Sequence, residues 1–253
     1  MTDIGHHAFY GCTELLSVTL GAKLKNIYEN AFGICDRVVE LINHSSLNVQ
    51  DRTVPMFRNL IKEIKDTSVT APAIYYVEDD FVFYYRGETC YLVSYFGDGD
   101  DTVEGQITLP GLPDDWNVYT YGIYKKAIRE VEGVTKVKLS SAVDQICTEA
   151  FTFGLEEIEI PVISSLKRIE TKAFKWTAIT DIFLPYELEY IGKLAFPETL
   201  ERITFAAIDN WKCEGLIGMA DVDPEDIKDP ADAARYILYR NKSTHFERVE
   251  EEA

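Results

Sequence analysis

The chain repeats itself. Setting "IGHHAFYGCTELLSVTL" over "IYENAFGICDRVVELIN" places Ile4, Ala8, Phe9 and Cys12 above Ile27, Ala31, Phe32 and Cys35, each displaced by 23 residues. The same frame returns in "IYKKAI", "ICTEAF", "IETKAF" and "IGKLAF". There Ile123, Ile146, Ile169 and Ile191 advance by 23, 23 and 22, and Ala127, Ala150, Ala173 and Ala195 keep step. A period of roughly 20 to 50 residues means units that cannot bury an apolar face alone and must cover one another by stacking.

Behind each A-F pair comes a second apolar pattern: Leu15, Val18 and Leu20, then Leu155, Ile158 and Ile160, then Ile179, Ile182 and Leu184. The last two positions of each set are two apart and share one face of a short strand, and Pro161 or Pro185 ends it because proline cannot donate to a ladder. One coil is therefore a short strand with a turn or short helix, about 23 residues long. Phe9, Phe32, Phe151, Phe174 and Phe196 are expected to form an aromatic column inside the stack. His6 and His7 fall in slots that hold Glu29 and Asn30, Lys125 and Lys126, or Thr148 and Glu149 elsewhere, so they read as solvated and not as metal ligands. Cys12 and Cys35 occupy equivalent places in adjacent coils, where either a disulfide or two small buried thiols fits and the thiols are preferred.

At the A-F and L-x-x-I-x-L positions the sequence resembles the BspA-like leucine-rich repeat proteins, whose unit runs approximately I-x-x-x-A-F-x-x-C-x-x-L-x-x-I-x-L-P. The match covers residues 3–42 and about 123–208. Coils three to six lack the cysteine, coil three has Ile128 where phenylalanine is usual, and coil six is shortened around Pro197. The resemblance implies a β-rich leucine-rich-repeat solenoid with a binding surface and no catalytic residues to carry over. It also implies a bacterial protein at the cell surface or secreted, engaged in adhesion.

The plan expected from the sequence is one continuous domain: a first repeat block of two coils at 1–50, an insertion of helix and β-hairpin at 51–118, a second block of four coils at 119–208, and a C-terminal cap helix with an acidic tail at 209–253. In the insertion, Met56, Leu60, Ile61 and Ile64 lie on one face of a helix behind Pro55. "FVFYYRGETCYLVSYF" then reads as two strands turning at "RGET". Both of its faces are apolar; one covers the solenoid, and the other is either an exposed aromatic patch or buried as well. "GDGDD" fails the spacing of a calcium loop. At the C-terminus Asp229 reads as an N-cap, Pro230 as the first helical residue, and Ala233, Ala234, Ile237 and Leu238 as an apolar stripe that closes the open end of the last coil, with Trp211 beneath it.

Composition narrows the partners. Acids outnumber bases 43 to 25, a formal charge of −18 that disfavours nucleic acid and anionic membranes, and no apolar run is long enough to insert in a bilayer. The chain carries no signal peptide of its own and opens inside a repeat, which suggests a fragment of a longer protein. Four histidines, none beside a serine or cysteine in a catalytic frame, and no phosphate loop leave an enzyme without support, and no cofactor or metal is expected. The expected function is binding of a host or bacterial surface protein, with an intracellular scaffold as the alternative and an enzyme built across the insertion as a remote one. The candidate contact residues are Lys136, Lys138, Glu157 and Glu159, which alternate with the core positions and so face outward, and Tyr84, Tyr85 and Tyr91 of the hairpin.

Overall fold

The computed structural model describes residues 1–35, 37–49, 62–68, 75–86, 88–97, 105–112, 118–128, 133–151, 154–214 and 218–249. The chain is a β-solenoid of about seven turns, divided between two compact units, Met1–Tyr84 and Tyr85–Ala253.

Each coil supplies two short parallel strands. In the first unit Asp3–Ile4 pairs with Asn26–Ile27, and Ser17–Leu20 pairs with Glu40–Asn43, which in turn pairs with Lys62–Ile64. The helix expected over 56–64 is therefore corrected at its end: Ile64 lies in a strand opposite Ile42, where its β-branched side chain suits the ladder. Met56, Leu60 and Ile61 lie outside the described residues. Tyr75–Glu78 and Phe81–Tyr84 form an antiparallel hairpin through Asp79, which adopts φ 49°.

In the second unit one ladder runs Thr89–Tyr95, Thr120–Ile123, Gln145–Ile146, Arg168–Ile169 and Tyr190–Ile191, each parallel to the next. A second runs Gln106–Thr108, Lys136–Lys138 and Glu157–Glu159, and a third pairs Asp181–Leu184 with Arg202–Phe205. Strands 89–95 and 106–108, read from sequence as parts of an insertion, thus supply the ladders on which the next coil stacks. The acidic run at 98–104 between them lies outside the described residues.

One backbone device recurs in all six A-F coils. The residue before the alanine has positive φ: His7 (56°), Asn30 (55°), Lys126 (57°), Glu149 (54°), Lys172 (59°) and Leu194 (55°). In the first five this left-handed residue turns the chain so that the alanine N–H bonds back to the carbonyl three residues earlier, as from Ala150 to Cys147 (3.2 Å) and from Ala173 to Glu170 (3.2 Å). The phenylalanine N–H is then free to reach the next coil, as from Phe9 to the Ala31 carbonyl (2.7 Å) and from Phe174 to Ala195 (2.7 Å). Histidines 6 and 7 are accordingly exposed turn residues.

The alanines of the inner coils are fully buried, and the phenylalanines beside them stack in parallel. Phe151 and Phe174 lie 5.0 Å apart at 8°, Phe174 and Phe196 6.2 Å apart at 2°. Ile128 continues this column through a bridge to Phe151. In the first unit Phe9 stacks on Phe32 at 4.9 Å but remains 39% exposed, a correction to its expected burial, because its described neighbour lies on one side only. For the same reason Cys12 is exposed while Cys35 is buried, its thiol donating to the Phe9 carbonyl at 3.0 Å; the two are not joined in a disulfide.

The last A-F coil is closed by the cap. Helix α1 (Pro224–Lys228) and helix α2 (Pro230–Arg240) pack on the strand Arg202–Phe205. Asp229 caps α2 by accepting from the Ala231 and Asp232 N–H groups, and Ala233, Ala234 and Ile237 are buried. Trp211 is buried as expected, but in the strand Trp211–Glu214, with its ring edge-on to Phe205 and its indole N–H on the Ala207 carbonyl. Phe246–Arg248 runs antiparallel to Tyr190–Ile191 and so ends the parallel ladder.

Asn241 serves the last A-F turn twice. The Leu194 N–H donates to its main-chain carbonyl (2.8 Å), as Lys172 does to Lys193 of the next coil, and its side chain stands within the turn itself, where the Ala195 N–H donates to the side-chain oxygen (2.8 Å) instead of bonding back to Gly192. Its amide nitrogen donates to the Gly192 and Thr244 carbonyls at 2.9 and 3.1 Å, and the residue is only 3% exposed.

Two stability outcomes follow. Phe174→Ala removes the middle ring of the column and should cost about 3–5 kcal/mol in urea unfolding. Asn241→Ala strands one buried N–H and two buried carbonyls, and should cost about 3 kcal/mol or more, at 1–3 for each orphaned group. A loss below about 1 kcal/mol for Asn241→Ala would mean that the cap does not depend on it.

Candidate strand-face interface

The outward positions of the second unit's long strands stand in rows set by the parallel register. Lys136 is opposite Glu157 and Lys138 opposite Glu159, forming ion pairs of 3.1 and 2.6 Å; farther along, Asp181 and Arg202 are opposite and pair at 3.2 Å. Four of the residues expected at the interface are thus brought together as two cross-coil pairs. Each is a solvent-facing pair worth at most about 1 kcal/mol, but opposite signs also remove the repulsion that like charges would bring to directly facing strands.

That alternation fails at one step. From Val137 to Ile158 and from Ile182 to Ile203 the strands advance by 21 residues, whereas from Ile158 to Ile182 they advance by 24. Among the described residues no ladder joins Glu157–Glu159 to Asp181–Leu184. A groove of about 750 Å³ lies at this break. Ile158, Ile182 and Phe183 supply its apolar lining, and Glu156, Glu157 and Asp181 bring three carboxylates to it, against the single ammonium of Lys136. The two coils stay joined here by the Ala178 N–H on the Leu155 carbonyl (2.7 Å), but among the described residues their long strands each pair only with the coil on the far side.

Sequence reasoning missed Glu156, Asp181, Phe183 and Arg202. The alternation that singled out Lys136 and Glu157 applies equally to coils five and six, where Asp181 and Phe183 flank the core residue Ile182. The spacing of 24 against 21 marks this step but does not by itself announce a break, since Ile107 and Val137 pair across 30 residues.

The tyrosines are placed less favourably. Phe81, Val82 and Phe83 are buried on both faces of their strand, so the aromatic patch open on one side is absent there; Tyr84 and Tyr85 are half-buried. Tyr84 faces Tyr75 across the hairpin at 5.8 Å. Tyr91 is half-buried in the second unit and lies over Gly122, where a Cβ would sit 2.7 Å from its ring, and meets Tyr124 edge-on at 5.7 Å. The exposed aromatic of the hairpin is Tyr76, 51% accessible.

Two thiols inside the stack are held in their neutral form. Burial pushes the Cys90 thiol up to about 12, and burial with the Glu170 and Asp144 charges does the same for Cys147, so both stay protonated near neutrality. Among the described residues no group of three or more histidine, cysteine or acidic side chains is placed to hold a metal ion, and no helix is long and apolar enough to cross a membrane.

The sequence profile described as "BspA type Leucine rich repeat region" matches six copies in this chain, over residues 1–76 and 120–211, more than half its length. The chain belongs to the BspA-type leucine-rich repeat family. No curated protein matches it. Two solved structures resemble this BspA-type chain in fold: the pneumococcal vaccine antigen PcpA, at 20% identity and a TM-score of 0.43 over 55% of the chain, and a leucine-rich cell surface protein of Faecalibacterium prausnitzii, at 20% identity and 0.36 over 80%. The chain spans 39% and 44% of those two proteins.

One buried acid makes a prediction. Burial raises the Asp144 carboxyl to about 6, against the lowering effect of the Tyr121 N–H and of Lys167, and its Oδ1 is buried without a hydrogen-bond partner. Between about pH 4 and 6 the folded protein holds a proton that the unfolded chain has released, so this group's contribution falls as pH rises through that window and stays lost above it. Discounted for partial solvent access, Asp144→Asn should stabilise by about 1–2 kcal/mol at pH 7 and by little at pH 4. Denaturant unfolding of both proteins at the two pH values checks this; an equal difference at both would refute it.

Proposed function

We propose that this chain is a non-enzymatic protein-binding solenoid of a secreted or cell-surface protein, and that the strand face of its second unit is the binding surface. The observation that carries the reading is the break in the strand ladder. Elsewhere on this face neighbouring coils pair opposite charges in rows, while at the break an apolar floor lies beside Glu157 and Asp181, paired to Lys136 and Arg202, and beside Glu156, which has no ion-pair partner among the described residues. A groove of that composition is complementary to a basic segment of a partner with an aliphatic or aromatic side chain seated between Ile158 and Phe183. Lys138 and Glu159 pair beside it and orient the rim. Rigid strands suit recognition because the groove is formed before the partner arrives, which lowers the ordering cost of binding.

The test is capture of proteins from extracellular-matrix and cell-surface extracts by the purified chain, in parallel with a Glu156→Lys/Asp181→Asn variant shown to melt at the same temperature. The expected result is a partner bound by the parent and weakened about tenfold or more in the variant, with affinity falling as salt rises. A partner held equally by both would remove the strand face from the function.

A further inference from the structure

A second groove of the second unit, sharing no lining residue with the first, lies between the last A-F coil and helix α2, with a volume of about 540 Å³. Its wall is apolar: Trp176, which is 40% exposed, Leu194, Pro197 and Leu238. Lys175 and Lys242 stand at it, the Lys175 ammonium 4.7 Å from the centre of the Trp176 ring, and Glu198 is the one carboxylate on the lining.

Two features set this groove apart. In this strongly acidic chain most lysines are tied to carboxylates, as Lys125, Lys136, Lys138, Lys167, Lys172 and Lys193 are. Among the described residues neither Lys175 nor Lys242 has an ion-pair partner. The second feature is Leu194. It occupies the left-handed turn slot that is polar in the five other coils (His7, Asn30, Lys126, Glu149, Lys172), and at φ 55° it carries the backbone cost of that slot without a polar group to place in solvent. A bulky residue kept in a conformation that favours glycine or asparagine, with its side chain on an open groove, points to use of that side chain.

We propose that this groove docks an acidic segment of a partner protein that carries one aromatic or aliphatic anchor. The anchor sits against Trp176 and Leu194, and flanking carboxylates reach Lys175 and Lys242. An exposed indole beside a desolvated apolar wall is the arrangement that dominates binding energy at interfaces, and two uncompensated ammonium groups select the sign of the visitor. The surface is separate from the acidic strand face and asks for a segment of opposite charge, so the two readings stand or fall independently.

A phage-displayed library of random nonapeptides, selected on the purified chain, tests it. Enriched sequences should carry aspartate or glutamate beside a single aromatic or aliphatic residue. Resynthesised with a fluorescein label, they should bind the parent and lose about tenfold or more in affinity to Trp176→Ala and to Leu194→Asn, with Glu156→Lys on the strand face unchanged. Leu194→Asn should melt no lower than the parent, because asparagine accepts the left-handed turn, so its loss of binding does not report unfolding. Enrichment of neutral or basic peptides, or acidic peptides that bind all variants equally, would overturn the proposal. So would concentration-dependent self-association in sedimentation that Trp176→Ala abolishes, since the occupant would then be a second copy.

Discussion

No coil of this solenoid can satisfy its own backbone. A parallel strand has its hydrogen-bond partners on neighbouring strands, and here those strands come one coil earlier and one coil later. Everything else serves that condition. The left-handed residue before each alanine folds the chain tightly enough for the next strand to begin in place, the alanine leaves room for the neighbouring coil to approach, and the phenylalanine fills the interior between them. Larger side chains at the alanine would hold the coils apart, and the inter-coil bonds from Phe151 to Ala173 and from Phe174 to Ala195 would lengthen together.

A structure that depends on neighbours must be stopped as well as started. The cap does this in three ways: α2 lies across the strand Arg202–Phe205, Phe246–Arg248 turns the ladder antiparallel, and Asn241 presents its main-chain carbonyl where the following coil would present one while its side-chain amide bridges the last turn from within. An asparagine is suited to this because its side chain repeats the donor and acceptor of a peptide group.

Much of this was legible beforehand. The 23-residue period, the inward Ile, Ala and Phe positions, the family and the terminal helix with its Asp229 cap all follow from local spacing. The left-handed slot was not visible, because His, Asn, Lys, Glu and Leu share no chemistry that announces positive φ. Asn241 was equally hidden, since it acts 46 residues from Ala195. Ile64 was misread because an apolar residue at helical spacing from Leu60 and Ile61 fits a strand equally well, and only Ile42 across the ladder decides between them. Of the proposed binding face, alternation identified Lys136, Lys138, Glu157 and Glu159, while the groove beside them lies where two ladders end, which depends on which strands pair and not on spacing alone. The tyrosines were judged by composition alone, and packing against Tyr75, Gly122 and Tyr124 covers much of their surface.

The left-handed slot also governs how such an array can change in length. Because each coil meets its neighbours through the same turn and the same carbonyls, copying or deleting a whole period leaves every group facing one of its own kind. A change of a few residues inside a coil can displace the turn relative to the strand, and a local gap lies at such a step, the 24 residues between Ile158 and Ile182. Evolution therefore has two separate controls over this protein: whole periods set its reach, and small irregularities within a period carve the places where another molecule can enter.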